Sequence, residues 1–198
     1  MSTVPYVIES DEKGEKVYDL YSRLLKDRIV FISGKFEEKM ANSVVAQLLF
    51  LEAADPNGDI SIYINSSGGD ITAMYAIYDT MQYIHSDIVT IGFGEVASAG
   101  AFILAAGTKG KRFALKNTNI MIHELSGGAT GTATDMEIKM KHALNLRERM
   151  AKHFAEMTGQ TLTKMKKDME RDYYMSSEEA KKYGLIDKIQ YKRKGKHK

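Results

Sequence analysis

Short apolar runs alternate with longer segments of helical periodicity through most of this 198-residue sequence. Parallel strands need crossover connections, and helices usually supply them. The alternation therefore predicts an α/β fold with a parallel sheet and crossover helices. The predicted strands are 28–33, 60–64, 88–93, 112–115 and 119–122, and the predicted helices before residue 110 are 19–26, 38–54, 71–84 and 101–106.

The C-terminal third is predicted to contain one unusually long helix. It follows a Gly/Thr-rich loop, begins at a capping box formed by Thr134 and Glu137, and ends at Gly159. A helix of about 24 residues is roughly 36 Å long at 1.5 Å per residue. We therefore expect part of it to project toward a partner, unless its apolar stripe packs into the core. The stripe consists of Met136, Met140, Leu144, Phe154 and Met157.

Composition is that of an ordinary folded domain and disfavours several other classes. A length of 198 residues with 43% hydrophobic residues suits one globular domain with a sizeable core. The sequence has no cysteine, so it offers neither a disulfide framework nor a thiolate metal site, and we expect no metal and no cofactor. No run approaches 18 apolar residues and residues 1–16 lack an apolar core, so we expect neither a membrane span nor a signal peptide.

The basic residues are concentrated at the C-terminus. Residues 192–198 carry five Lys or Arg residues and no acid, whereas the net charge of the whole chain is +2. We expect this tail to be solvated and flexible. The body of the chain does not interleave basic and aromatic residues, so we expect no nucleic-acid partner.

One serine lies in a setting that suits a nucleophile. Small residues flank Ser98 in the segment 94–100, between the predicted strand 88–93 and the predicted helix 101–106. A strand-to-helix turn can present a serine to a substrate, and the N-terminus of the following helix offers free N–H groups to an oxyanion. Small residues also occur wherever a strand and a helix pack closely, so this segment alone leaves both interpretations open.

A serine nucleophile needs a base, and His123 is the best placed of the five histidines. It ends the strand 119–122 and precedes the Gly-rich loop, at the kind of position where α/β sheets present functional groups. A hydrogen-bonded structural histidine is the alternative. The base needs an acceptor in turn, and Glu124 should point to the opposite face of the strand. Spacing does not choose among the remaining carboxylates, Asp168, Glu170, Asp172 and Asp187.

Two glycine-containing segments have competing interpretations. Gly68 and Gly69 follow the strand 60–64 and either turn bare amides toward an oxyanion or form a tight strand-to-helix turn. The segment 92–97 matches the dinucleotide-binding pattern G-x-G-x-x-A, which expects an acidic residue about 20 positions later. No Asp or Glu occurs between Val96 and His123, so nucleotide binding is disfavoured.

Several further segments together form a specific family pattern. They are YDLYSRLLK at 18–26, YINS at 63–66, GTKGKRF at 107–113, MIH at 121–123, RD at 171–172 and EEAKKYGLID at 178–187, together with the AS pair at 97–98. Over residues 4–189 the chain resembles the proteolytic subunits of the Clp protease family, which are self-compartmentalised serine peptidases. The resemblance implies a crotonase-like fold with a projecting handle helix at about 123–158.

The same resemblance implies roles for five residues. Ser98 would be the nucleophile, His123 the general base, and Asp172 the acid that orients it. The backbone amides of Gly69 and Ala99 would form the oxyanion hole.

The family also implies an assembly and a partner. Two heptameric rings would stack through their handles into a closed barrel of fourteen subunits, with Glu170 and Arg171 at the ring interface. An AAA+ unfoldase would dock on Tyr63, Tyr83 and Phe113 and thread unfolded proteins inside. This chain has no P-loop, so ATP would be used by the unfoldase. We expect a cytoplasmic protein with an axial segment at 1–18, one peptidase domain at 19–191 and the basic tail at 192–198.

Some positions depart from the family pattern. Relatives usually have Pro at Ser67, Met at Ala99 and Gln-Pro at Glu124 and Leu125, and often have Pro at Lys116. These departures leave the side-chain preference and the charge of the substrate groove open. A non-catalytic or specialised subunit of a mixed ring is one alternative function. A crotonase-like enzyme acting on acyl-CoA is another, which would use the oxyanion amides but not the Ser, His and Asp set.

Overall fold

The computed structural model describes residues 4–11 and 14–192. Its strands are β1 (Tyr6–Asp11), β2 (Gly14–Asp19), β3 (Ile29–Phe36), β4 (Ile60–Gly69), β5 (Ile88–Ala97), β6 (Arg112–Leu115), β7 (Asn119–Ile122), β8 (Tyr173–Met175) and β9 (Lys188–Gln190). Its helices are α1 (Leu20–Lys26), α2 (Glu38–Ala54), α3 (Ile71–Tyr83), α4 (Ala99–Ala105), α5 (Ala133–Thr158), α6 (Leu162–Asp168) and α7 (Ser177–Tyr183).

A seven-stranded, mostly parallel sheet organises the chain, which confirms the predicted α/β fold with crossover helices. β3, β4, β5, β6 and β9 are neighbours in that order and run parallel. β5 divides its edge between two partners: residues 90–92 pair with β6, and residues 95–97 pair with β7. Gly94, at the division, has a φ of 63°, a conformation that glycine adopts without strain. The fork places the ends of β5 and β7 side by side.

The core is formed by the central strands and by α4. Ile60, Ile62 and Ile64 alternate along β4 and are fully buried. Every residue of α4 is buried, because this short helix passes beneath the sheet as part of the core. That position explains why its sequence is apolar all round.

The central strands extend further than their apolar runs indicate. β4 ends at Gly69 and β5 at Ala97, several residues beyond the predicted ends at 64 and 93, and α4 begins at Ala99 and not at residue 101. The additional residues pair with neighbouring strands, Phe36 with Gly69 and Glu95 with Asn119. Backbone pairing has therefore outweighed the low strand propensity of glycine and small polar residues.

The long helix α5 is confirmed, but its predicted start is wrong. The N-cap is Thr132, whose hydroxyl accepts a hydrogen bond from the N–H of Asp135 at 3.2 Å, so Thr134 is already helical. The predicted C-cap is confirmed, because Gly159 is left-handed with a φ of 74°. No residue of α5 before Met150 is buried. Its N-terminal half therefore projects, and the predicted stripe divides into exposed Met136, Met140 and Leu144 and core-facing Phe154 and Met157.

Several elements were not predicted from the sequence. β1 and β2 form an antiparallel pair that runs one residue past the predicted axial segment 1–18, to Asp19, and α6, β8 and β9 are short elements near the C-terminus. Within the described ranges, no helix is both long and apolar enough to cross a membrane. The basic tail predicted at 192–198 lies, apart from Lys192, outside the described residues.

Candidate active site

Ser98 lies on a sharp turn between β5 and α4. Its backbone has a φ of 55° and a ψ of −118°, a combination that is strained for any residue with a side chain. Its N–H donates to the carbonyl oxygen of Met121 at 2.9 Å, which ties the turn to β7. A strained serine at a strand-to-helix turn is the geometry that exposes a nucleophilic hydroxyl.

Small residues around Ser98 permit very close backbone contacts. A Cβ atom on Gly68 would lie 2.6 Å from the Cβ of Ser98 and 3.1 Å from the carbonyl oxygen of Ala97. A Cβ atom on Gly100 would lie 3.0 Å from the carbonyl oxygen of Ser66. The close-packing interpretation of the segment 94–100 is therefore correct, and Ser98 itself is half-buried within it.

His123 contacts Ser98 directly. The parallel register pairs Ala97 with Met121, so residues that follow β5 and β7 emerge at the same edge of the sheet. The Nε2 atom of His123 lies 2.8 Å from the Oγ atom of Ser98, within hydrogen-bonding distance. This pair is the nucleophile-to-base contact that serine catalysis needs.

Asp172 faces the other ring nitrogen of His123. The antiparallel register of β7 and β8 pairs Ile122 with Tyr173, so the next pair outward is His123 and Asp172. The distance from Nδ1 of His123 to Oδ1 of Asp172 is 3.8 Å, which is longer than a hydrogen bond. The Asp172 side chain is 57% exposed and that of His123 22% exposed. The carboxylate is thus close to the position of an orienting acid without yet bonding to the imidazole.

Three of the competing carboxylates are engaged elsewhere. Glu124 accepts from Arg147 at 3.0 Å. Asp168 accepts from the hydroxyl of Tyr183 at 2.7 Å. Asp187 accepts a bidentate pair from buried Arg112, at 2.7 and 3.0 Å.

The ion pair of Arg112 and Asp187 fixes the β6 to β9 region. Burial alone would raise the pKa of Asp187, but hydrogen bonds from Arg112 outweigh burial and hold the pKa of Asp187 below its usual value. Arg112 also donates to the carbonyl oxygen of Met157 at 2.9 Å, so that the pair joins the sheet to the end of α5.

Two amide sets border the serine. Ala99 is the first residue of α4, and the first N–H groups of a helix have no intrahelical acceptor. Gly68 donates its N–H to the hydroxyl of Ser66 at 3.1 Å. Gly69 has a φ of 149°, and a Cβ atom there would lie 2.4 Å from the carbonyl oxygen of Phe36. The oxyanion roles of Gly69 and Ala99 stay predictions.

The residues predicted for interfaces lie on the surface. Glu170 and Arg171 are exposed in the loop before Asp172. Tyr63 on β4 and Phe113 on β6 are half-buried and lie on either side of β5, where both are in register with Ile91. Tyr63 stacks on Phe31 with 5.4 Å between ring centres. Tyr83 is 81% exposed. Their interface roles stay predictions.

The glycines of the segment 92–97 do not form a nucleotide loop. They lie within β5, which ends only at Ala97, so they precede the strand-to-helix turn and do not form it. Among the described residues, no cluster of three or more His, Cys, Asp or Glu side chains is arranged to hold a metal ion.

Sequence reasoning missed the element that singles out Asp172. β8 consists of only Tyr173, Tyr174 and Met175, and its register with β7 aims the preceding carboxylate at His123. The available signal was a short run of aromatic and apolar residues directly after the Asp, a composition that favours a strand.

Comparisons with known proteins agree with this architecture. The family model described as Clp protease matches residues 12–193. The chain is also 57% identical over 189 residues to the ATP-dependent Clp protease proteolytic subunit 2 of Bacillus licheniformis, an alignment that covers 96% of this chain and 100% of that relative. The chain therefore belongs to the Clp protease family and is a serine peptidase subunit with that family's crotonase-like fold.

Proposed function

We propose that this peptidase subunit uses Ser98 as its nucleophile and His123 as its general base. The 2.8 Å contact between Nε2 of His123 and Oγ of Ser98 carries the proposal. A serine hydroxyl is a weak nucleophile at neutral pH, and a base at this distance can take its proton as it attacks. The strained backbone of Ser98 supports the same role, since a strained strand-to-helix turn is where a serine nucleophile is presented.

The proposed reaction is hydrolysis of a peptide bond through an acyl-enzyme. Oγ of Ser98 attacks the scissile carbonyl while its proton passes to Nε2 of His123. The amides of Ala99 and Gly69 stabilise the oxyanion of the tetrahedral intermediate. The imidazolium then protonates the leaving amine, and the C–N bond breaks. A water molecule, deprotonated by His123, hydrolyses the ester and restores Ser98.

Asp172 is proposed to orient the imidazole. The separation of 3.8 Å must shorten by about 1 Å before its carboxylate accepts the Nδ1–H hydrogen bond. Catalytic hydrogen bonds are often long in the unliganded state and tighten with substrate. The exposure of Asp172 leaves it free to make this movement.

Family membership implies a self-assembling subunit of an ATP-dependent Clp complex. We propose two stacked heptameric rings joined through the projecting half of α5, with Glu170 and Arg171 at their interface. The support is the exposed apolar set on that half, formed by Met136, Ile138, Met140 and Leu144. Burying such a set against another copy would remove it from water.

The remaining partners are proposed from the same family. Unfolded proteins would be the substrates, delivered in the cytoplasm by an AAA+ unfoldase that uses the ATP. It would dock on the aromatic surface of Tyr63, Tyr83 and Phe113, and the hairpin of β1 and β2 would line the axial entrance. The exposure of Tyr83 and the half-exposed rings of the other two support a docking surface.

Peptidase assays on the purified chain test this function. The wild type should cleave a short fluorogenic peptide, whereas Ser98→Ala should lose activity by at least about 10³-fold. The variant should keep the wild-type particle mass, because the hydroxyl contributes chemistry and little packing. An assembled wild type that cleaves no peptide would favour the silent-subunit alternative. The acyl-CoA alternative gives the contact of His123 with Ser98 no role, so it predicts that fluorophosphonates leave Ser98 unlabelled.

A further inference from the structure

The loop that carries Asp172 connects α6 to β8 and is anchored on both sides. On one side, β8 pairs with β7, so Tyr173 lies opposite Ile122. On the other side, the carbonyl oxygen of Met169 accepts from the N–H of Glu124 at 2.6 Å. Because the Asp172 side chain is more than half exposed, its place near the imidazole depends on how this loop is held.

Tyr183, in the last turn of α7, contacts the loop at both ends. Its hydroxyl donates to Oδ2 of Asp168 at 2.7 Å, four residues before Asp172. Its ring lies 5.8 Å from the ring of Tyr173, the residue directly after Asp172. The Tyr183 side chain is itself buried, with 7% of the residue exposed, so it has little freedom to move.

Charge strengthens the first of these contacts. The ammonium group of Lys164 pairs with Asp168 and lies 4.5 Å above the ring of Tyr183. Burial alone would raise the pKa of Asp168, but hydrogen bonds from Lys164 and Tyr183 outweigh burial and hold that pKa below its usual value. Burial, and then the bond to Asp168, raise the pKa of Tyr183. At neutral pH a neutral hydroxyl therefore donates to an ionised carboxylate, which is a strong class of hydrogen bond.

We propose that Tyr183 is a positioning residue that keeps the carboxylate of Asp172 opposite His123. The hydroxyl fixes the loop before Asp172 through Asp168, and the ring fixes the strand after it through Tyr173. This role rests on the proposed function, because the position of Asp172 matters only if His123 is the general base. Tyr183 acts through Asp172 and is not itself a catalytic residue.

A double-mutant cycle on the assembled full-length enzyme tests this inference. Tyr183→Phe removes only the hydroxyl, and we expect it to lower kcat by about tenfold with KM unchanged, because a misplaced catalytic group costs rate more than binding. In an Asp172→Asn background the same change should cost less than about twofold, since the group that it positions has already been removed. Rates of Ser98 modification by a fluorophosphonate, followed by mass spectrometry, measure both backgrounds even where peptide turnover is slow.

Matched variants separate positioning from folding. Tyr75→Phe removes a buried hydroxyl that makes no hydrogen bond of normal geometry to the described residues, so it should leave kcat unchanged. Asp168→Ala removes the acceptor of the same hydrogen bond and should lower kcat as much as Tyr183→Phe does. The positioning role would be overturned if Tyr183→Phe lowered kcat equally in the wild-type and Asp172→Asn backgrounds, or if it raised KM and left kcat unchanged. Failure of the wild type to react at Ser98 would instead refute the proposed function.

Discussion

Replacing Gly68 with alanine should lower the catalytic rate, because the added methyl group would collide with Ser98. The added Cβ atom would lie 2.6 Å from the Cβ of Ser98, about 1 Å inside the normal separation of two carbon atoms. The added Cβ atom cannot shift toward Ala97, because the carbonyl oxygen of that residue would be only 3.1 Å away. Ser98 therefore has to move. A displacement of about 1 Å at a reacting group costs on the order of 10²-fold in rate, or about 2.7 kcal/mol of transition-state stabilisation.

A matched variant isolates this contact from backbone strain. Gly68 has a φ of 102° and Gly34 a φ of 77°, but a Cβ atom on Gly34 would meet nothing within 4 Å. Gly34→Ala should therefore destabilise the fold by about 1–3 kcal/mol and leave kcat/KM within about threefold of the wild type. The assay is kcat/KM on a fluorogenic peptide, with urea unfolding of both variants. If Gly68→Ala and Gly34→Ala lost the same activity, backbone strain and not contact with Ser98 would be the cause.

Three further changes have defined outcomes. Asp172→Asn should lower kcat by roughly 10³-fold with KM nearly unchanged, because the imidazolium loses its acceptor; an unchanged kcat in stopped-flow assays would exclude its role. Arg112→Met should destabilise the fold by about 3 kcal/mol at pH 7 because it leaves the carboxylate of Asp187 unpaired. This value is at the low end for a broken buried ion pair, since the Asp187 side chain is 16% exposed. The pKa of Asp187 is depressed by folding, so the wild type should lose this stability as pH falls below about 4, and urea midpoints of the two proteins should converge there. Arg171→Ala should lower the particle mass in solution by weakening ring contacts, and an unchanged mass would contradict that interface.

The parallel sheet was predictable because its central strands are buried and therefore contain more apolar residues than a strand on the surface does. The buried residues Ile60, Ile62 and Ile64 indicate β4 in this way, whereas the sequence does not indicate that the strand continues to Gly68 and Gly69. Those glycines are strand residues only because β3 pairs with them. The start of α5 shows the same limit: Thr132 and Thr134 both suit an N-cap by residue type, and it is Thr132 that accepts the N–H of Asp135 in the structure.

The candidate site was predictable in part. Ser98 was singled out because it follows an apolar strand among small residues, and His123 because it ends an apolar strand before a Gly-rich loop. Residue types and spacing left Asp172 equal to Asp168, Glu170 and Asp187, and only the resemblance to a family favoured it. What distinguishes it physically is a register over three residue pairs, which joins segments about 50 positions apart and has no local signal.

Covalent labelling tests the central claim most directly. The assembled wild type is treated with a fluorophosphonate, and its intact mass and proteolytic peptides are then measured. The contact of Ser98 with His123 predicts one adduct per chain, located on Ser98, and slowed by at least about 10³-fold in His123→Ala. An adduct on another residue, or equal labelling of Ser98 without the imidazole, would contradict the account.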